Sequence, residues 1–210
     1  MVKVVESNFN EELIEQVTQN ENSHENQEER LSAKSTVAAL ITRRQWKARK
    51  SDFRIDTFKA PVPYVVIHQT STESCNTLSE CEKQVRQIED IHINSKRLSD
   101  ISYNFLVGGD DGYIFEARGW TKVGAHINRY NSVSIGIAFI GLFEDKLPSN
   151  ASLSATQELI RMGMEENYIK RDYKLFGMRQ LSNSIDNPGQ QLYDIIKKWP
   201  HWSYGLHSLD

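Results

Sequence analysis

No stretch of the 210-residue sequence stays apolar for long. The most hydrophobic run, 133–143 (VSIGIAFIGLF), falls well short of the roughly 18–20 residues that a bilayer core demands, and it reads as a buried strand rather than a membrane span. A basic excess is missing too. Asp and Glu number 28 against 25 Lys and Arg, for a formal charge of −3, whereas a phosphate-backbone footprint shows as a surplus of cations, so nucleic acid is not an expected partner. The opening residues MVKVVESNFNEELIEQ acquire acids before the apolar segment of a leader could form, and no secretory signal peptide is visible. The expectation is a product not exported by that route, or one piece of a longer one. Cysteine is scarce: Cys75 and Cys81, inside the polar stretch CNTLSEC, carry no metal-site spacing. Five intervening residues suit a small disulfide-closed loop, which needs an oxidising compartment, and two free thiols in a reducing cell are the alternative. One sequon, Asn150-Ala151-Ser152 in a Pro/Ser-rich turn, fits an exported protein, although such triplets also arise by chance.

What is present describes a soluble globular chain, with 39% hydrophobic and 25% charged residues and a length that suits one domain with a tail. Residues 1–36 are rich in Asn, Gln, Glu and Ser and poor in branched apolar residues, too polar to offset the entropy of ordering, and read as a disordered polar tail. The domain is expected over 37–210. Within it, 64–70 (YVVIHQT) is a nearly continuous β-branched apolar run, as in a strand buried on both faces. From 78 to 93 the apolar positions Leu78, Val85, Ile88 and Ile91 recur at helical spacing, and Thr77 and Glu80 form a capping box. YNFLV (103–107), the turn GGDDG and YIFE (113–116) read as a hairpin. A strand over 133–140, a helix over 154–168, a strand over 175–178 and a last helix over 189–198 ending before Pro200 complete the pattern. Interleaved strands and helices predict an α/β fold, a single domain with a central sheet and helices packed on both faces.

The chemistry centres on His68, at the C-terminal end of an apolar strand where side chains face a crevice outside the sheet. A partly buried, satisfied histidine is the plainer reading of that residue alone. A hydrolytic zinc site would need three protein ligands of the His, Cys or carboxylate type and a water, and the late segment LFGMRQLSNSIDNPG supplies Met178, Asp186 and Asn187 but no His or Cys. Of the four tryptophans, Trp46 and Trp199 suit core packing near the domain ends, and Trp120 is the one expected in a groove.

The segments VVIHQT (65–70), DISYNFLVGGDDGYIFEARGW (100–120), GAH (124–126), SIGIAFIG (134–141), GMRQ (177–180), NPGQQLY (187–193) and WPHW (199–202), in this order, closely resemble the peptidoglycan recognition protein domain of animals, particularly insects. The resemblance covers about 39–203 and implies an amidase-like fold with a mostly mixed sheet. It also implies that Cys75 and Cys81 form the disulfide that the family carries beside its first helix. In amidase members, zinc is held by a His ending the first strand, a His in a GHRQ-like motif and a Cys before Pro-Gly, with a Tyr assisting. Here His68 and Tyr103 match, while Met178 and Asn187 stand where the other ligands belong, with one extra residue between them. A thioether and a neutral amide are not usual zinc ligands. The resemblance therefore implies a domain with no zinc or other cofactor, which binds a muropeptide without cutting it.

Among the groove residues the resemblance assigns, Arg118 stands where diaminopimelate-binding members place an Arg, and a guanidinium can pair bidentately with the carboxylate that lysine lacks. An Arg that only pairs with a neighbouring acid is the structural reading of the same residue. Arg97-Leu98 stands where the family has Gly-Trp or Asn-Phe and follows neither pattern. His92, His126 and Asn131 match groove-lining positions. The expected partner is bacterial peptidoglycan, with self-association or pairing with a related recognition protein. Two alternatives remain: a regulator that binds no peptidoglycan and pairs with a receptor, suggested by Arg97-Leu98 and an extra residue in GGDDG, and an amidase whose zinc site recruits Asp186 or another His. The cysteine pair and sequon point to an extracellular domain or ectodomain, and the absent signal peptide to a cytoplasmic sensor.

Overall fold

The computed structural model describes residues 40–50, 54–182 and 186–205, so the expected tail over 1–36 lies outside the described residues. Six strands form one mixed sheet: β1 (Leu40–Ile41), β2 (Val62–Gln69), β3 (Phe105–Gly108), β4 (Tyr113–Glu116), β5 (Ser134–Phe139) and β6 (Ile169–Gly177). Their spatial order is β1-β4-β3-β5-β2-β6; the β3/β4 hairpin is antiparallel and every other neighbouring pair is parallel. Parallel strands require covered faces, and the helices supply the cover. Alternation along the strands sorts the core into two layers. Val65, Ile67, Phe105, Ile135 and Ile137 pack against α2 (Asn150–Glu165) and α3 (Gln190–Ile196) through Leu159, Leu192 and Ile196. Leu106, Phe115 and Ala138 face α1 (Leu78–Asp90) through Cys81, Val85 and Ile88, with Trp46 fully buried among them.

The element boundaries depart from the periodicity where local chemistry overrides it. Thr77 and Glu80 form the expected capping box on α1, but the α-helical bonding stops at Asp90 and a single π turn, Ile91–Ser95, follows. Helix α2 begins at Asn150 rather than 154, because the Ser149 hydroxyl accepts the Ser152 N–H at 3.1 Å and caps it. The sequon thus lies in the first turn of a helix, and its Ser152 is buried with its hydroxyl donating to the Gly109 carbonyl at 3.0 Å. Strand β6 is longer than expected: the exposed Lys170-Arg171-Asp172 hide the pairing of Ile169 with Val62 and a register shift between Val62 and Tyr64. Cys75 and Cys81 are joined, with their Cα atoms 5.0 Å apart.

Candidate functional site

β2 carries His68 to its C-terminal end on the α1 side of the sheet, where His68 lies opposite Ala138 of β5. The ring is 1% exposed and meets two others, those of His126 and Tyr103. His68 Nε2 lies 3.0 Å from His126 Nδ1, and the ring centroids are 4.9 Å apart in an edge-on arrangement. Tyr103, on the chain leading into β3, sits between His68 at 5.4 Å and His92 at 5.5 Å. The π turn explains His92: widening the last turn of α1 leaves the ring buried, with Nδ1 accepting the Ser102 N–H at 3.0 Å.

The hydrogen bonds assign the tautomers. The Ser134 hydroxyl donates to the Tyr130 carbonyl at 2.7 Å, so toward His126 Nε2, 3.5 Å away, it can only accept. His126 then carries its proton on Nε2 and accepts the Nε2–H of His68 on Nδ1, which leaves Nδ1 as the only lone pair on His68. Burial holds every member of the group neutral. His68 is driven well below the usual imidazole value by burial and then by His126. Burial brings His126 down to about 3 and His92 to about 4, Arg118 adding to both and Lys96 to the latter. The Tyr103 hydroxyl is pushed up to about 12 by burial. The result is an uncharged floor of hydrogen-bonding groups.

Two elements that sequence reasoning passed over hold this floor in place. Asn104 is fully buried; its amide N–H groups donate to the Gly119 and Lys122 carbonyls at 2.9 Å each, and its Oδ1 accepts the Gly136 N–H at 2.9 Å. That side chain joins β3, β5 and the 117–122 loop, and the only signal for it was a polar residue in an apolar run. Glycines 124 and 136 lie under the His126 ring: a Cβ on either would fall 2.4 or 2.5 Å from a ring carbon.

The other expected residues are distributed unevenly. Arg118 is 8% exposed and directs Nε to the Ile101 carbonyl at 2.8 Å, Nη1 to Val123 at 2.7 Å and Nη2 to Asp100 at 3.5 Å. Three of the five N–H donors of a guanidinium are thus directed at backbone, and two remain for a ligand. Asn131 Oδ1 accepts the Ile127 N–H at 2.8 Å and closes its own loop. Arg97 is exposed in the left-handed conformation (φ 57°) just past the π turn. Trp120 is not a groove residue: it packs 4.4 Å from Phe105, stacks on Tyr168 at 5.4 Å and lies against Gly163 of α2, on the sheet face opposite His68. Its large apolar ring is better accommodated by a core seam than by solvent. Trp46 is buried and Trp199 is packed on the α2 side.

The late segment arrives beside the strand end. Ile67 pairs with Gly177, the last residue of β6, which carries Met178, the first residue after the strand, to the level of His68. The Met178 sulfur accepts the Ser182 hydroxyl at 3.3 Å. Asn187 uses both amide atoms on the backbone of Gln69: Nδ2 donates to the carbonyl at 2.8 Å and Oδ1 accepts the N–H at 3.1 Å. The Gln69 side chain completes the lock, donating to the Asp186 carbonyl at 2.8 Å and accepting the Phe143 N–H at 2.7 Å. Among the described residues no three His, Cys, Asp or Glu side chains gather as a metal ion would require.

Known proteins share this fold. A model of N-acetylmuramoyl-L-alanine amidases matches residues 58–190. The chain is 41% identical over 160 residues to peptidoglycan-recognition protein SA of Drosophila melanogaster, covering 76% of this chain and 77% of that one. The chain belongs to the peptidoglycan recognition protein family. Within that family, the solved ectodomain complex of recognition proteins LCa and LCx with tracheal cytotoxin bound is similar with a TM-score of 0.76 and 41% identity, over 79% of this chain and 98% of that one. Recognition protein LE in complex with tracheal cytotoxin, a monomeric diaminopimelic acid-type peptidoglycan, gives a TM-score of 0.76 at 41% identity, over 79% of this chain and 96% of the solved one. The chain spans 48% of the full length of LE from Drosophila melanogaster.

Proposed function

We propose that this recognition protein binds peptidoglycan fragments of the meso-diaminopimelic acid type and reports them in innate immunity without cleaving them. The observation that carries the reading is the donor set at the end of β2. Catalytic zinc takes three imidazole, thiolate or carboxylate ligands and leaves a position for water. At this strand end one imidazole has its Nε2 engaged by His126, the neighbouring position is a thioether, and the third is an amide whose two polar atoms both serve the Gln69 backbone. That set does not fit a zinc ion, and no hydrolytic step is derived from it. A muropeptide lying over the ring cluster would meet neutral hydrogen-bonding groups with no activated water.

Relatives crystallised with a diaminopimelate-type fragment support the ligand class, and the two remaining donors of Arg118 suit its extra carboxylate. The LCa and LCx complex supports signalling through pairing with a second copy or a related chain. The Cys75–Cys81 bond supports an oxidising location, as an extracellular domain or ectodomain. Titration with a monomeric diaminopimelate muropeptide, beside its lysine-type analogue, tests the reading. Expected are selective binding that weakens about tenfold or more in Arg118→Ala, matching the loss of a charge-assisted pair, and no released peptide with zinc added. Stoichiometric zinc in the purified protein together with peptide release would falsify it. A second reading rests on Arg118 having most of its donors on backbone: a regulator that pairs with a receptor and binds no peptidoglycan. Co-purification with a related recognition protein, with no muropeptide affinity at millimolar concentration, would establish that reading instead.

A further inference from the structure

The segment that follows β1 packs cations together at a density the rest of the chain does not foreshadow. A pocket of about 790 Å³ between the 43–50 segment, Arg54, Ile55 and the 117–122 loop is lined by eight Lys and Arg side chains and one acid, Asp100, in a chain whose net charge is −3. Neutralisation inside the pocket is partial. Arg43 pairs with Asp100 at 3.1 Å and Glu89 at 3.7 Å, Arg49 pairs with Asp90, and Arg118 is directed at carbonyls. Arg44, Lys47, Lys50 and Arg54 have no acidic partner among the described residues, and Lys122 reaches only the Ile55 carbonyl at 3.5 Å.

The frame that holds these charges is rigid. The indole N–H of the buried Trp46 donates to the Glu116 carbonyl at 2.7 Å, and Arg86 donates to the Trp46 carbonyl at 3.1 Å. Arg43 spans the base, donating to the Ala117 carbonyl at 2.6 Å and the Arg49 carbonyl at 3.1 Å, while the buried Glu89 carboxylate accepts the Arg49 N–H at 3.1 Å. Lys47 is fixed in the left-handed region at φ 62°, where a side chain carries strain. Like charges held this close repel one another and lower stability. A loop pinned in that state resembles a preorganised anion site more than a solvated face, because relaxing the repulsion would need only a mobile loop.

We propose that this pocket is a second ligand site, taking a compact ligand with several phosphate groups. Arg forks and Lys point charges suit phosphate oxygens, and one muropeptide carboxylate would not balance the excess. The volume lies in the range of small-molecule sites, which favours a compact ligand over a lipid surface. The pocket shares Arg118 with the proposed muropeptide site but none of the clustered rings, and its test with tripolyphosphate does not depend on muropeptide binding.

Titration calorimetry of the full chain with inorganic tripolyphosphate reads it directly. Expected is saturable binding in about 50 mM salt that weakens about tenfold or more near 300 mM, where screening is strong, and is lost in Arg44→Glu/Lys50→Glu with a melting temperature equal to or above that of the parent chain, because the like-charge repulsion is relieved. The side chains of these two residues make no hydrogen bond or ion pair with the described residues of the frame, and Arg118, which lines both sites, is left intact, so a variant that loses tripolyphosphate but keeps muropeptide affinity separates the two. Absence of binding at millimolar tripolyphosphate in low salt overturns the proposal, as does binding that the double variant leaves intact. Co-sedimentation with phosphatidylserine vesicles at protein concentrations where tripolyphosphate does not bind also overturns it, in favour of a membrane surface.

Discussion

His68, His92 and His126 sit where a second proton on any of them would be a buried charge beside another imidazole or a guanidinium. Their folded pKa values lie below that of free imidazole, so as pH falls below about 6.5 the unfolded chain takes up protons that the folded chain does not. Stability from these groups is present above that pH and is lost on acidification toward about 4 for His92 and about 3 for His126. Each histidine contributes about 1.4 kcal/mol per pH unit across its window. Urea unfolding at pH 7 and pH 5 is expected to show a clear loss of stability at pH 5, and His92→Gln should reduce that loss; equal stability at both values would contradict the neutral cluster. At this scale the sequence was informative about identity and less so about use. The order of short motifs pointed to His68, Tyr103 and His126 as one site, and they do meet. Trp120 went the other way, because a tryptophan's composition does not say which face of a sheet its loop turns toward. Asn104 and Gln69 escaped notice because a polar residue in an apolar run looks the same whether it faces solvent or ties three backbone segments together.

Elements position the cluster through close approach. Gly136 on β5 lets the His126 ring lie on the strand, and a Cβ there would fall 2.5 Å from the ring. Gly136→Ala should push the ring off its partner, costing about 1–3 kcal/mol in stability as an overpacked core site does, and weakening muropeptide binding beyond what that loss explains. Thermal unfolding and titration on the same variant check it, and a variant with unchanged binding would remove His126 from the ligand floor. The strands at the sheet centre were readable because apolar residues in a doubly covered strand leave a continuous run. The edges of elements were not: the start of α2 depends on one hydroxyl of Ser149, and β6 is masked by three exposed charged residues on its open side. The π turn after α1 has no periodic signature at all. It departs from helical spacing by one residue, and that departure is what directs His92 at Ser102.

At the scale of the molecule, parallel pairing of β2 with β5 and β6 places the ends of these strands along one edge of the sheet, and the candidate site lies there as the general rule for such sheets predicts. Two covering layers keep that edge fixed, so binding there should act on the whole domain as one cooperative unit. Muropeptide at about 100 times its dissociation constant adds about 2.7 kcal/mol to folding stability, which for a domain of this size raises the melting temperature by roughly 5–10 °C. The dependence of that rise on protein concentration separates two architectures. When one copy holds the whole ligand, the melting temperature follows ligand concentration alone. When part of the ligand is held by a second chain, the folded complex contains two protein molecules, and mass action makes its melting temperature climb with protein concentration as well. The reading as a receptor that signals by pairing requires the second behaviour. Scanning calorimetry at two protein concentrations about tenfold apart, each with excess ligand, decides between them, and a melting temperature indifferent to protein concentration would leave recognition in place while removing self-association as the signal.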